Sequence, residues 1–293
     1  MKVIFIGAGP GAADLITVRG ARLLASADVV LFDALTDPAL RELAPRADWV
    51  HVGKRGFCDS TGQTAINALL VKHALAGKVV VRLKGGDPSV FGRLEEELEA
   101  LAHAGISCEV VPGVTAAIGA AAATQRPLTR RGGGRSVSLT TAMTREGALR
   151  ASRSADTEVF YMAGKQLAAL SRRLIAAGWP ADTPVSVVSR AGWPDQLHSD
   201  HTVDSLSRAS MLHAGRPTVV TVGAGAVPIA CAAAAGTQRA HEPPWARKRR
   251  PSNRAPSPKI APGCSKSRRP WRTPRRRART ISALPSNRTT STP

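Results

Sequence analysis

Cysteine is scarce and unpatterned in this sequence. Cys58, Cys108, Cys231 and Cys264 stand singly, with no C-x-x-C pair. Neither a zinc site nor a disulfide framework is indicated, and a reducing compartment, the cytoplasm, is expected. No apolar run reaches the ~18 residues that a membrane span needs, and the opening VIFIGAGPGAA lacks the length and flanks of a secretory signal. A soluble chain with no membrane partner is therefore expected. Neither G-x-S-x-G nor H-E-x-x-H occurs, so hydrolase chemistry has no positive support. Acidic residues are missing from one end only. From Arg239 to Pro293 a single acid, Glu242, stands among 16 Lys and Arg residues. The net charge of +20 shrinks to +5 over the first 238 residues, 25 basic against 20 acidic. The body thus has an ordinary charge balance, and the basic character belongs to the tail.

The 293 residues allow two domains. Short β-rich runs alternate with helical patterns, which argues an α/β fold of two domains with mostly parallel sheets. Val3 to Ile6, Asp28 to Phe32, Trp49 to Val52, Val79 to Leu83 and Glu109 to Val111 read as strands. Ile66, Leu69, Leu70 and His73 mark one amphipathic helix; Leu94, Leu98 and Leu101 mark another, with Glu95, Glu96, Glu97 and Glu99 expected to face away. Beyond Pro112-Gly113 an Ala-rich helix (Thr115 to Ala123) leads to further strands at Ser136 to Thr140, Glu158 to Met162, Pro184 to Ser189 and Thr218 to Val222. Between these, Leu167, Leu170, Leu174 and Ile175 give a helix stopped by Gly178-Trp179-Pro180. The expected domains are residues 1–113 and 114–227. From 228 to 293 periodicity stops, and ten of the 21 prolines fall between Pro243 and Pro293. That segment is expected to be disordered.

Four places could carry chemistry. Gly7-Ala8-Gly9-Pro10-Gly11 follows a strand and precedes a helix expected near Asp14. Glycines there let backbone turn sharply and approach a ligand. With Ala12 last it can be fitted to the dinucleotide fingerprint, and Asp33 lies about 20 residues on, where a ribose-binding acid would stand. An NAD(P)-dependent oxidoreductase is one reading, and a plain tight turn is another. Arg82-Leu83-Lys84-Gly85-Gly86-Asp87-Pro88 is a second glycine-rich loop at a strand end. Asp87 there either accepts hydrogen bonds from a ligand or caps the following helix. Asp33 and Lys54-Arg55 also end strands, so all four can face the crevice where α/β proteins bind ligands; a helix cap and a solvated loop are the bland alternatives. Asp195, His198, Asp200 and His201 read as surface residues of a loop rather than as metal ligands, and no metal is expected.

In order and spacing, GAGPG, VVLFDAL, VGKR, VVRLKGGDPSVFGR, VVPGVTAAIGAAA, PLTRR, VFYM and a final VVTVG resemble the uroporphyrinogen-III C-methyltransferases, which start sirohaem and cobalamin synthesis. The resemblance spans residues 1 to about 227. It implies two α/β domains that enclose S-adenosylmethionine, a homodimer, and methylation of uroporphyrinogen III at two pyrrole rings to give precorrin-2. It assigns cofactor contacts to Pro10, Gly85, Gly86, Asp87, Val90, Thr115, Ala116, Met162 and Gly192. Asp33 matches the family's proton acceptor and Lys54 its proton donor. A pyrrole carbon that takes a methyl gains positive character and must lose a proton, which a carboxylate can accept. The substrate carries eight carboxylates, so cations should line its crevice; Arg55, Arg93, Arg126, Arg130, Arg131 and Arg135 are candidates.

The chain departs from the family where substrate is concerned. Asp33-Ala34-Leu35 stands for Asp-Arg-Leu, Asp59-Ser60-Thr61-Gly62-Gln63 for His-Ser-x-Pro-Gln, Leu94-Glu95 for Gly-Gly, and Thr129-Arg130-Arg131 for Thr-His-Arg. Another precorrin-type tetrapyrrole is the alternative substrate. The tail reads as a nonspecific basic arm for nucleic acid, a solvated extension, or a translated wrong reading frame, with the last two favoured.

Overall fold

Uninterrupted runs of valine, isoleucine and leucine suit strands covered on both faces. The computed structural model describes residues 2–53, 62–142 and 149–229, and in it β1 (Lys2–Gly7) is buried in every residue but the first. β2 (Val29–Phe32), β3 (Asp48–His51), β4 (Val80–Lys84) and β5 (Ser107–Val111) complete a sheet of order β3-β2-β4-β1-β5 in which all four pairings are parallel. The five strands expected in this half are present, each within two residues of its expected ends. α1 (Val18–Leu24) covers one face, with Leu24 against Ile4, Ile6 and Val30. α2 (Gln63–Leu75) and α3 (Leu94–His103) cover the other, where Ile66, Leu70 and Leu101 close on Val3, Phe5 and Leu31. The helix expected near Asp14 is a single 3-10 turn over Ala13–Leu15; α1 starts later, where the Thr17 hydroxyl accepts from Gly20 N at 3.0 Å.

One expectation for α3 is overturned. Glu97 does not face away; it is fully buried. It lies three residues after Leu94 and four before Leu101, so it falls on the same helical stripe as the leucines. Arg82 and Lys84 of β4, both buried beneath it, compensate its charge.

Past Gly113 the chain enters α4 (Ala116–Ala123) and a second sheet. Its strands are β6 (Val137–Thr141), β7 (Thr157–Tyr161), β8 (Pro184–Ser189), β9 (Leu197–Thr202) and β10 (Thr218–Gly223), in the order β6-β7-β10-β8-β9. β6 and β7 are parallel; the other three pairings are antiparallel. Over both sheets five of the eight pairings are parallel, and the α/β class holds. α5 (Leu167–Ala176) packs Leu167, Leu170 and Leu174 on one face of this sheet. Ala117 and Ala120 of α4 pack on the other, against Val159, Val188 and Val219. The segment expected as a loop around His198 is strand β9, at the sheet edge. Its LHSDHT sequence has no apolar alternation to announce it, and hydrogen bonding to β8 decides its conformation. Lys54 and Arg55, the changed Asp59 segment and the tail from residue 230 lie outside the described residues.

Candidate functional site

Three chain crossings meet backbone to backbone where the first sheet ends. Gly9 N donates to Gly86 O at 3.2 Å and Gly86 N to Gly9 O at 2.7 Å, which joins the two glycine loops. Gly113 lies against both: a Cβ on it would stand 2.3 Å from Gly86 O and 2.7 Å from Gly7 Cα. Only hydrogen fits there. Asp87 holds this junction, accepting from Gly113 N at 2.8 Å through one oxygen and from Ser89 N at 2.8 Å through the other. It therefore closes its own loop, and the next helix starts only at Leu94.

The junction floors a cavity of about 240 Å³ that the second sheet completes. Pro10, Gly85, Gly86, Asp87, Val90, Thr115, Ala116 and Met162 line it, eight of the nine residues assigned by resemblance. The ninth, Gly192, lies between the wall residues Ala191 and Trp193 and donates its N–H to Gln196 Oε1 at 2.9 Å. Sequence reading missed Leu35, Phe91, Tyr161, Arg190, Trp193 and the Pro217–Val219 segment. Tyr161, the chain's one tyrosine, ends β7 and shares a 2.8 Å hydrogen bond with Thr115 Oγ1, while Ala117 N donates to it at 3.2 Å. It thereby fixes the first turn of α4 at the cavity rim. Phe91 (φ 52°), Met162 (φ 59°) and Arg190 (φ 53°) all adopt left-handed backbone on this wall. Such strain outside glycine gathers where surrounding packing holds a ligand site in shape. Mostly apolar walls, exposed backbone and one carboxylate suit a nucleoside with a small charged centre. They suit a pyrophosphate less well. Only a single 3-10 turn, Ala13–Leu15, follows GAGPG before α1 begins at Val18, and Arg190 is paired with Asp195 at 2.7 Å.

Asp33 does not line this cavity. It lines an adjacent one of about 410 Å³, separated from the first by the turn through Ala34 to Leu35. Its carboxylate accepts from Arg82 Nη2 at 2.6 Å; Arg82 Nε donates to Glu97 Oε1 at 3.0 Å, and Lys84 Nζ to Glu97 Oε2 at 2.7 Å. Arg82 also donates to the carbonyls of Leu31 and Leu83, at 3.3 and 3.1 Å. Asp33 is thus the partly exposed end of a buried chain of alternating charges. Burial holds the Lys84 ammonium below its ordinary range, and neighbouring Arg82 adds to the effect.

Three of the six expected substrate arginines are otherwise employed. Arg126 is buried, pairs with both oxygens of Asp200 and donates to Ala226 O at 3.0 Å. Arg93 pairs with Glu96, and Arg130 donates to Val227 O. None of the three lines either cavity. On β9, His198 shares a 3.1 Å hydrogen bond with Ser186, and His201 one of 2.8 Å with Ser199. Ser199 also bonds buried His213, which reaches Ser189 at 2.6 Å and through it Thr218 of the cavity wall. Among the described residues no three His, Cys, Asp or Glu side chains converge as metal ligands.

Comparison with known proteins places this geometry in a family. Residues 2–207 match the model of the tetrapyrrole (corrin/porphyrin) methylases. Over 227 residues the chain is 42% identical to the uroporphyrinogen-III C-methyltransferase of Pseudomonas aeruginosa, covering 76% of this chain and 93% of that one. It is 44% identical to the siroheme synthase of Baumannia cicadellinicola, of which it spans only 49%. A solved uroporphyrin-III C-methyl transferase from Thermus thermophilus, complexed with S-adenyl homocysteine, superimposes with a TM-score of 0.67 at 34% identity, covering 76% of this chain and 97% of that one. The glycine-joined cavity is therefore that of a methyltransferase fold, and the chain belongs to the tetrapyrrole methylases.

Proposed function

We propose that the chain methylates uroporphyrinogen III at two pyrrole rings, yielding precorrin-2, with S-adenosylmethionine as methyl donor. The observation that carries this reading is the convergence of Pro10, Gly85 to Asp87, Thr115, Ala116 and Met162 on one small, mostly apolar cavity next to Asp33. Residues 1–113 and 114–227 are then the two halves around the cofactor. When bound, S-adenosylmethionine supplies a sulfonium methyl, an electrophile that needs alignment more than activation. Backbone at Gly85 and Gly86 would let a flat nucleoside approach closely, and Tyr161 and Thr115 fix the rim of the cavity that would hold it. Asp33 would accept the proton that a methylated pyrrole ring must lose. Arg82 holds that carboxylate in place from behind. Lys54 is the proton donor in this reading. Incubating the chain with enzymatically generated uroporphyrinogen III and isotopically labelled cofactor, followed by product mass, is the direct test; two labelled methyls per product are expected. Titration with S-adenosylhomocysteine, NAD and NADP is the companion measurement, and tight binding of either dinucleotide without the nucleoside would reject the reading.

A further inference from the structure

The cavity next to Asp33 holds an arginine that sequence reading did not single out. Arg41 lines it, with its guanidinium carbon 5.1 Å from the centre of the Phe32 ring and 5.5 Å from that of Trp49. The side chain is exposed and has no acidic partner among the described residues. The two acids of the cavity are engaged elsewhere: Asp33 with Arg82, and Asp37 with the backbone N–H groups of Ala39 and Ala13, at 2.9 and 3.2 Å. In the same wall His51 packs edge-on to Phe32.

A guanidinium already held on two rings loses little further freedom when a ligand arrives, and its N–H edges remain free to grip a planar anion. We propose that this cavity is a carboxylate-binding subsite, in which Arg41 grips a peripheral carboxylate of the tetrapyrrole. Arg41 then determines which ring edge faces Asp33. This inference rests on the tetrapyrrole reading above.

The probe is uroporphyrin III, the stable oxidised form that keeps all eight carboxylates, titrated into the full chain by fluorescence quenching alongside S-adenosylhomocysteine. Arg41→Ala should weaken uroporphyrin about tenfold, as expected for one charge-assisted contact at a partly exposed site, and leave S-adenosylhomocysteine unchanged. Arg41→Lys keeps the charge without the planar fork and should fall between. Ala34 is exposed and lines the same cavity, so adding Ala34→Arg to Arg41→Ala should restore affinity. Wild-type affinity for uroporphyrin in Arg41→Ala overturns the subsite and leaves the methyl-transfer reading standing. Absence of uroporphyrin binding by the wild type overturns both. Arg41-dependent binding without methyl transfer to uroporphyrinogen III keeps the subsite and rejects the reaction. Should Arg41→Ala lose both ligands, Arg41→Gln decides, and unchanged uroporphyrin affinity there likewise overturns the subsite.

Discussion

Asp33 shows how one side chain can be specified by neighbours far away in sequence. Its carboxylate takes a 2.6 Å hydrogen bond from Arg82, 49 residues on, and keeps a face toward the 410 Å³ cavity. Asp33→Asn retains an oxygen for Arg82 but cannot accept a proton at useful strength. Turnover should fall by about a hundredfold or more, the range for removing a general base, while S-adenosylhomocysteine affinity stays within about twofold because the nucleoside cavity is lined by other residues. Steady-state rates and equilibrium titration of the same preparation check both halves; wild-type turnover would take Asp33 out of the mechanism.

Elements dock here through buried polar groups as well as through leucines. α3 seats Glu97 over Arg82 and Lys84 of β4, so Glu97→Ala leaves two buried cations with Asp33 as their remaining acid. Unfolding free energy should drop by about 3 to 5 kcal/mol, measurable by urea denaturation, whereas Glu95→Ala on the same helix should change it by about 0.5 kcal/mol or less. β8 and β9 are tied by His213, whose burial, with His201, Arg216 and His198 nearby, brings its pKa down to about 4 from 6.5. As pH falls the unfolded chain takes up the proton first. Stability is therefore full above about 6.5 and is lost between 6.5 and 4, by up to about 3 kcal/mol from this group. Urea midpoints at pH 7 and pH 5 should show that loss, and His213→Phe should flatten it. An unchanged slope in the variant would assign the acid sensitivity elsewhere.

At the scale of the whole molecule, charge and site are kept apart along the sequence. Among the described residues, those lining the 240 Å³ cavity fall between Gly9 and Val219, while 16 cations crowd the last 55 residues. A chain ended at residue 229 should bind S-adenosylhomocysteine within about twofold of the full chain. Any affinity for duplex DNA that falls steeply between about 50 and 200 mM salt should belong to the full chain alone. Equal, weak DNA binding by both would remove the nucleic-acid arm from consideration.

Strand and helix content was legible because buried parallel strands must be continuously apolar and amphipathic helices must repeat every three to four residues. The two glycine loops were legible because the backbone pressed on Gly7 and the positive φ of Gly86 both favour glycine. β9 was not, since an edge strand of polar residues has no apolar period, and neither was buried Glu97, since its partners lie on another element. Sequence by itself determined the α/β class and the two glycine loops at strand ends, governed by local spacing and by glycine, and resemblance pointed to eight of the residues that line the 240 Å³ cavity. Only tertiary structure decided that Asp33 faces a second cavity, that Arg126 is structural and that Arg41, with no acidic partner among the described residues, lines the cavity of Asp33. Those outcomes depend on which charges meet across distant segments, and a charge finds its partner in space, not along the chain.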